Sequence, residues 1–308
     1  MSASGSRKAI LAAFAANLAI AVAKFVGFAL TGASSMLSEG IHSVADTGNQ
    51  GLLLLGTRRA TKDPDEEHPF GYGRERFFWS FVVAVILFTL GSVFAIYEGV
   101  HKIRHPEALE NPIVAVVILG VAIVAESISF RTAVAESRPL RGDATWWQFL
   151  RRSKIPELPV VLLEDAGALV GLVIALGAIG LTIVTGDAVF DGVGSVLIGA
   201  LLGVIAVFLS VEMKSLLIGE SAGEAERRQI EAAITDSPTV VRLIHCRTEH
   251  IGPEQILVAA KVEFVVDLGV AGLADAVDGV EARIRAAVPD ATTIYIEPDL
   301  YREHVSGR

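Results

Sequence analysis

Chemistry-bearing side chains occur in this sequence where lipid-compatible segments should have none. In the stretch SEGIHSVADTGNQ, Ser38 to Gln50, His42 and Asp46 stand four residues apart, with Glu39 one turn earlier. Apolar sequence flanks the stretch on both sides. Positions i and i+4 of a helix share a face, so the imidazole of His42 and the carboxylate of Asp46 project together. Such a pair can bind one divalent cation, at about 2.0–2.2 Å if the ion is zinc; it can equally form a plain buried ion pair that fixes helix packing. A second group, Glu164 and Asp165 in PELPVVLLEDAGALVG, is also enclosed by apolar runs. A charge at the bilayer centre costs at least about 2.5–3.5 kcal/mol on insertion scales. A dication between the two segments would give each charge a partner. Neighbouring helical positions are about 100° apart, so Glu164 and Asp165 point in different directions. Asp165 is assigned as a ligand, and Glu164 as a fourth ligand or an acceptor behind it.

Other polar positions carry weaker assignments. Asn49 and Gln50 continue the polar face, and Asn17 and Lys24 fall in an earlier apolar run; interhelical hydrogen bonding or pore lining suits them as well as ligation does. Glu98 is placed within reach of water. Asp187 and Asp191 are expected to be exposed or to cap a helix.

These residues must be positioned by membrane-spanning helices. The 308 residues are 52% hydrophobic and 20% charged, with mean hydropathy +0.53, which excludes an ordinary soluble globule. Apolar runs long enough to cross a bilayer are placed at about 8–30, 33–56, 77–99, 112–135, 158–184 and 190–212, the second diluted by the polar stretch. This predicts a six-helix transmembrane bundle over residues 1–212. Arg7 and Lys8 before the first run mimic a signal peptide, but the apolar character continues past Lys24 to Leu30, so an uncleaved span is expected. Lys and Arg lie before the first span, between the second and third, and between the fourth and fifth. That distribution puts both termini in the cytoplasm, with Lys102 and Arg104 as the exception.

The pattern changes near Lys214. Residues 213–308 hold ten Lys and Arg against sixteen Asp and Glu, a difference of −6, and no nucleic-acid partner is suggested. A helical run over 223–236, opened by a candidate Ser221/Glu224 capping box, precedes the strands VVRLIHCRTEH and ILVAAKVEFVV. A helix over about 273–287 and the strand TTIYIEP follow. The order α-β-β-α-β, with Gly252 and Pro253 in a turn, predicts a small α+β domain: a three-stranded sheet with two helices on one face. The single cysteine, Cys246, excludes an intrachain disulfide and a multi-thiolate metal site. Trp146, Trp147, Phe149 and Leu150, beside five basic residues, fit an interfacial segment at headgroup level.

HSVAD, DEEHPFGYGRERF, the carboxylate pair, FDGVGSVLIG and the trailing α-β-β-α-β domain together resemble the cation diffusion facilitator family. The combination of EGIHSVADTGNQ, HPFGYG and LLED is similar to the branch that includes the mitochondrial zinc transporter of animals. The resemblance implies a homodimer of six-span subunits that exchanges cytoplasmic zinc, or a similar divalent ion, for protons, with a cytosolic ferredoxin-like domain. A bacterial inner membrane is the expected setting, and no nucleophile motif or HExxH-type helix accompanies the carboxylates, so no enzymatic activity is expected. The resemblance also implies ligands at His42 and Asp46 and an HxxxD pair on span five. Here the position four before Asp165 is Val161, which cannot bind metal, leaving Glu164 or water to complete the site. An oxygen-rich site makes Mn²⁺, Fe²⁺ or Co²⁺ more plausible cargo than a His-richer one would. The family's second site matches Asp65 and His68, with Tyr72 where another His is often found. In the C-terminal domain His245 matches a family ligand, Lys261 and Tyr295 replace others, and His250 and Glu297 are weaker candidates.

One site facing each side in turn accounts for proton exchange. Metal binding needs neutral imidazole and ionised carboxylates, so loading releases protons and protonation expels the ion. The rival readings are a passive cation channel, an intramembrane hydrolase using Asp165 and Glu164 or a His42 metal site, and a metal sensor whose spans only anchor it.

Overall fold

The computed structural model describes residues 18–106, 109 and 111–302. It divides into two compact units. One comprises the chain to Arg58 and Phe78–Lys214; the other joins Arg59–Phe77 to the chain from Ser215 onward.

The first unit is helical. Its described elements are α1 (Leu18–Thr31), α2 (Ser34–Ala60), α3 (Glu75–Arg104), α4 (Pro112–Arg141), the short α5 (Trp146–Arg152), α6 (Glu157–Thr185) and α7 (Val189–Ile218). Among these, α3, α4, α6 and α7 are long and apolar enough to cross a membrane. Local chemistry sets several ends. Pro112 opens α4, where a missing N–H costs nothing. Gly32 and Gly186, at φ of 64° and 74°, close α1 and α6 in the left-handed conformation a Cβ disfavours. Thr145 and Gln148 form a reciprocal capping box on α5.

The helical unit is apolar outside and tightly packed inside. On α4, Ile113, Val117, Val121, Val124 and Ile128 face outward, while Ala115, Leu119, Ala122, Glu126, Ala133 and Ser137 are buried on the opposite stripe. Large apolar side chains toward lipid and small ones toward the neighbours suit a helix whose surroundings are hydrocarbon. Helices α3 and α7 approach backbone to backbone: a Cβ on Gly99 would lie 2.6 Å from the Gly192 carbonyl oxygen. Between Leu87 and Val93, α3 passes through a π-helical segment, a local widening that is rare and often found at functional sites.

Two expectations change here. Lys102 is not a loop charge: it is buried on α3, and its ammonium donates to the Gly32 carbonyl at 3.1 Å, satisfying the end of α1. Its role in that contact accounts for its departure from the charge distribution of the other links. Phe149 does not sit with headgroup-level aromatics but packs in a buried cluster with Ala133 and Leu162, because α5 turns that ring inward. Trp147 is exposed, with the Arg151 guanidinium 6.0 Å from its ring.

The second unit contains α8 (Glu224–Thr235), β1 (Val240–Gly252), β2 (Gln255–Phe264), α9 (Val270–Ala287) and β3 (Thr293–Pro298). The sheet order is β1-β2-β3, the first pair antiparallel and the second parallel. A parallel neighbour requires a crossover, which α9 provides. Alternation along β2 turns Ile256, Val258, Ala260, Val262 and Phe264 to one face, where Ile230 and Ile234 of α8 and Val280 and Ile284 of α9 cover them. The cap of α8 differs from the expected Ser221/Glu224 box: the N-cap is Gly223, two residues later, and Glu226 accepts the Gly223 N–H at 2.8 Å. The 59–77 segment packs on the β1–β2 hairpin. Gly73 lies so close that a Cβ there would come within 2.7 Å of the Ile251 carbonyl oxygen, and Arg74 pairs with Glu249.

Candidate functional site

A polar stripe runs down α2 at helical spacing, and each of its ends is tied to a different helix. At the N-terminal end, Ser35 donates from its hydroxyl to Asp191 of α7, and its N–H reaches the same carboxylate oxygen at 3.3 Å. Asp191 is fully buried rather than exposed. It does serve a helix end, but that of α2 instead of its own, by taking one of the N–H groups that a helix start leaves unpaired. One turn on, Lys24 of α1 donates to Glu39 Oε2 at 3.1 Å and to Ser43 Oγ at 2.7 Å, with both members of the ion pair buried. The other Glu39 oxygen lies against Gly171 of α6, where any Cβ would come within 2.5 Å of it. At the C-terminal end, Asn49 donates to Glu164 Oε1 of α6 at 2.7 Å.

His42 and Asp46 occupy the middle of this stripe. Nδ1 of His42 lies 3.4 Å from Asp46 Oδ1. His42 is fully buried, and neither ring nitrogen has a hydrogen-bond partner among the described residues. The π-helical segment of α3 comes near: a Cβ on Gly91 would sit 4.0 Å from Nδ1. Buried imidazole nitrogens normally find a donor or acceptor, so this ring is held in a polar environment without the bond that would satisfy it.

On α6 the two acidic residues diverge as the helical angle requires. Glu164 faces α2 through Asn49, whereas Asp165 faces α4, where Ser129 donates to its Oδ2 at 3.0 Å. Asp165 also lines a cavity of about 410 Å³ between α2, α4 and α6, together with Val161 and Glu157 one and two turns earlier and Glu136 of α4. The walls are the C-terminal halves of α2 and α4 and the N-terminal half of α6, so the cavity opens at one end of the helical unit. The structure thus brings His42 beside Asp46 and Glu164 to α2, and sets Asp165 on the cavity wall. Among the described residues, no three His, Cys, Asp or Glu side chains converge closely enough to hold a metal ion.

The remaining candidates are placed as follows. Asp65 and His68 lie together, 3.7 Å apart, but both Asp65 oxygens are engaged: Oδ2 accepts from Lys62 at 2.6 Å and Tyr72 at 2.7 Å, and Oδ1 accepts the His68 N–H at 2.8 Å. The Lys62 ammonium, then the Tyr72 hydroxyl, hold the Asp65 carboxyl well below the usual carboxylate range. In the sheet, His245, Lys261 and Glu297 are register neighbours on β1, β2 and β3. Lys261 therefore stands between the other two, bonded to Glu297 at 3.1 Å and Asp299 at 2.9 Å. His250 pairs with Ile256 further along β1, five residues from His245 and so about 17 Å away along an extended strand. These three are not brought together. Asn17 lies outside the described residues.

Sequence reasoning missed Glu126, a single acidic residue in the apolar run of α4. Its signal was available: it falls on the small-residue stripe that includes Ala115, Ala122 and Ala133.

Residues 10–218 match a family model described as the cation efflux transmembrane domain. The chain is 32% identical over 262 residues to the proton-coupled zinc antiporter SLC30A9, mitochondrial, of Mus musculus, covering 84% of this chain and 46% of that one. It is 31% identical over 263 residues to metal tolerance protein C4 of Arabidopsis thaliana, covering 84% and 57%. To magnetosome protein MamB of Magnetospirillum gryphiswaldense it is 22% identical over 285 residues, covering 92% and 90%. The chain spans about half the length of the first two relatives. A solved MamM-CTD variant matches 26% of this chain at 18% identity with a TM-score of 0.25.

Proposed function

The chain belongs to the cation efflux family, the cation diffusion facilitators, and from that premise we propose that it exports a divalent metal cation, zinc first, from the cytoplasm in exchange for protons. The transport site we assign lies between α2 and α6, with His42, Asp46 and Asp165 as ligands and Glu164 as a fourth. The observation that carries this reading is His42: a buried imidazole, both nitrogens without a hydrogen-bond partner among the described residues, beside a carboxylate 3.4 Å away. A neutral imidazole and ionised carboxylates are a dication's donor set, and the same groups bind protons when the ion leaves. The cavity ending at Asp165 supports an access path from one side. Loading draws α6 toward α2, which exchanges the Asn49–Glu164 hydrogen bond for coordination. The SLC30A9 relatives are named as proton-coupled zinc antiporters, which supports this assignment.

The donor set favours one second reading. With Val161 one turn before Asp165, the proposed donor set is one imidazole and carboxylates, and harder ions such as Mn²⁺, Fe²⁺ or Co²⁺ suit that mixture better than they suit a His-rich site. The rest of the reading is a homodimer of six-span subunits in a bacterial inner membrane, termini cytoplasmic, with α8 to β3 as a ferredoxin-like cytosolic domain. The test is zinc flux into proteoliposomes under an imposed pH gradient. His42→Ala and Asp46→Ala are expected to lower it by about a hundredfold or more while the protein stays folded. Full flux in Asp165→Ala would eliminate the site, and zinc that never moves uphill would leave a passive channel in its place.

A further inference from the structure

Glu126 presents a problem the site above does not solve. It lies mid-helix on α4, is only 8% exposed, and forms no hydrogen bond or ion pair with any described residue. A carboxylate removed from water without hydrogen bonds or a counter-charge is among the costlier groups a protein can bury, and in a membrane such groups mark function. The buried Lys24 ammonium of α1 is already bonded to Glu39 and Ser43.

The position of Glu126 is not accidental to the site. It occupies the buried stripe of α4 with Ala122 before it and Ala133 after it, so the helix face that meets its neighbours carries it inward. Ser129, one turn later on that helix, donates to Asp165 at 3.0 Å. The same turn of α4 thus touches the assigned α6 ligand. Positions three apart share a helix face, so the buried Glu126 stands on the side of α4 that meets Asp165 of α6.

We propose that Glu126 is a third-helix ligand of the transported dication: a carboxylate oxygen from α4 that joins the α2 and α6 donors when the ion is held. The inference rests on the transporter reading and adds a helix to it. A dication removes the unpaired charge and gives the ion an oxygen that neither α2 nor α6 has to supply.

The experiment uses the purified full chain in detergent, titrated with chelator-buffered Zn²⁺ and separately with Co²⁺, whose visible ligand-field band reports its donors. Glu126→Gln keeps the shape and removes the charge. The expected result is a zinc Kd raised tenfold or more, a shifted cobalt band, and a metal-free protein that melts no lower than wild type, because an uncompensated charge has been removed. A wild-type Kd with an unchanged cobalt band overturns the proposal. So does a metal-free Glu126→Gln protein that melts lower, which assigns the carboxylate to packing. His42→Ala in the same assay separates the two levels: wild-type binding there removes the α2–α6 site itself, whereas binding lost in His42→Ala but kept in Glu126→Gln removes only the role of Glu126.

Discussion

Lys24 places a positive charge inside the helical unit, one turn of α2 from the residues assigned to a cation. Its ammonium bridges Glu39 and Ser43, and because neither it nor Glu39 is exposed, the pair is a rivet between α1 and α2 whose halves cannot be removed singly. Deleting one partner of a buried ion pair costs about 3–5 kcal/mol, since it leaves the other charge uncompensated, while replacing both is much milder. Lys24→Met is therefore expected to melt well below wild type, and Lys24→Met/Glu39→Gln to recover most of the loss, as read by thermal unfolding in detergent; equal melting of all three would contradict the rivet. At this scale the sequence shows which side chains are anomalous, since His42, Asp46, Glu164 and Asp165 stand out by type alone. It does not show their partners. Glu164 rather than Asp165 turns to α2 because their roughly 100° separation sends one to Asn49 and the other to Ser129.

The link between α2 and α3 is a closed hook. Lys62 and Tyr72 converge on one Asp65 oxygen, and the His68 N–H on the other. The depressed carboxyl gives the pH dependence its sign. A group whose folded pKa lies below its unfolded value of about 4 stabilises the hook above that value and loses the contribution only as pH falls through the lower, folded pKa. Asp65→Asn is thus expected to raise hydrogen exchange across 61–75 at pH 7, whereas wild type keeps its protection down to about pH 4; equal protection in both would show that the hook is held by other contacts. In the sequence, Asp65 and His68 stand as candidate metal ligands. The pull of Lys62 is a local contact three residues away, legible in principle, but a lysine beside an acid says nothing by itself about which cation, ammonium or metal, holds the carboxylate.

At the scale of the whole molecule, the chain consists of two compact units with separate cores. The core of the C-terminal unit is complete in α8, the sheet and α9, so the chain from Ser215 onward, expressed alone, is expected to unfold in one cooperative thermal transition by circular dichroism. A gradual, non-cooperative melt would mean that Arg59–Phe77 is indispensable to it. The sequence by itself determined the apolar runs, the shared face of His42 and Asp46, and the α-β-β-α-β order of the second unit. These follow from hydrogen bonds and side-chain periods that close within a few residues. Only the tertiary structure decided that Lys24 meets Glu39, that Asp191 serves Ser35, that Asn49 meets Glu164 across 115 positions, and that Glu126 is buried with no hydrogen-bond partner among the described residues. The reason is that an isolated helix can rotate about its axis at little cost to its own hydrogen bonds, so the face it buries, and the charges it thereby confronts, are chosen by the packing of all its neighbours at once.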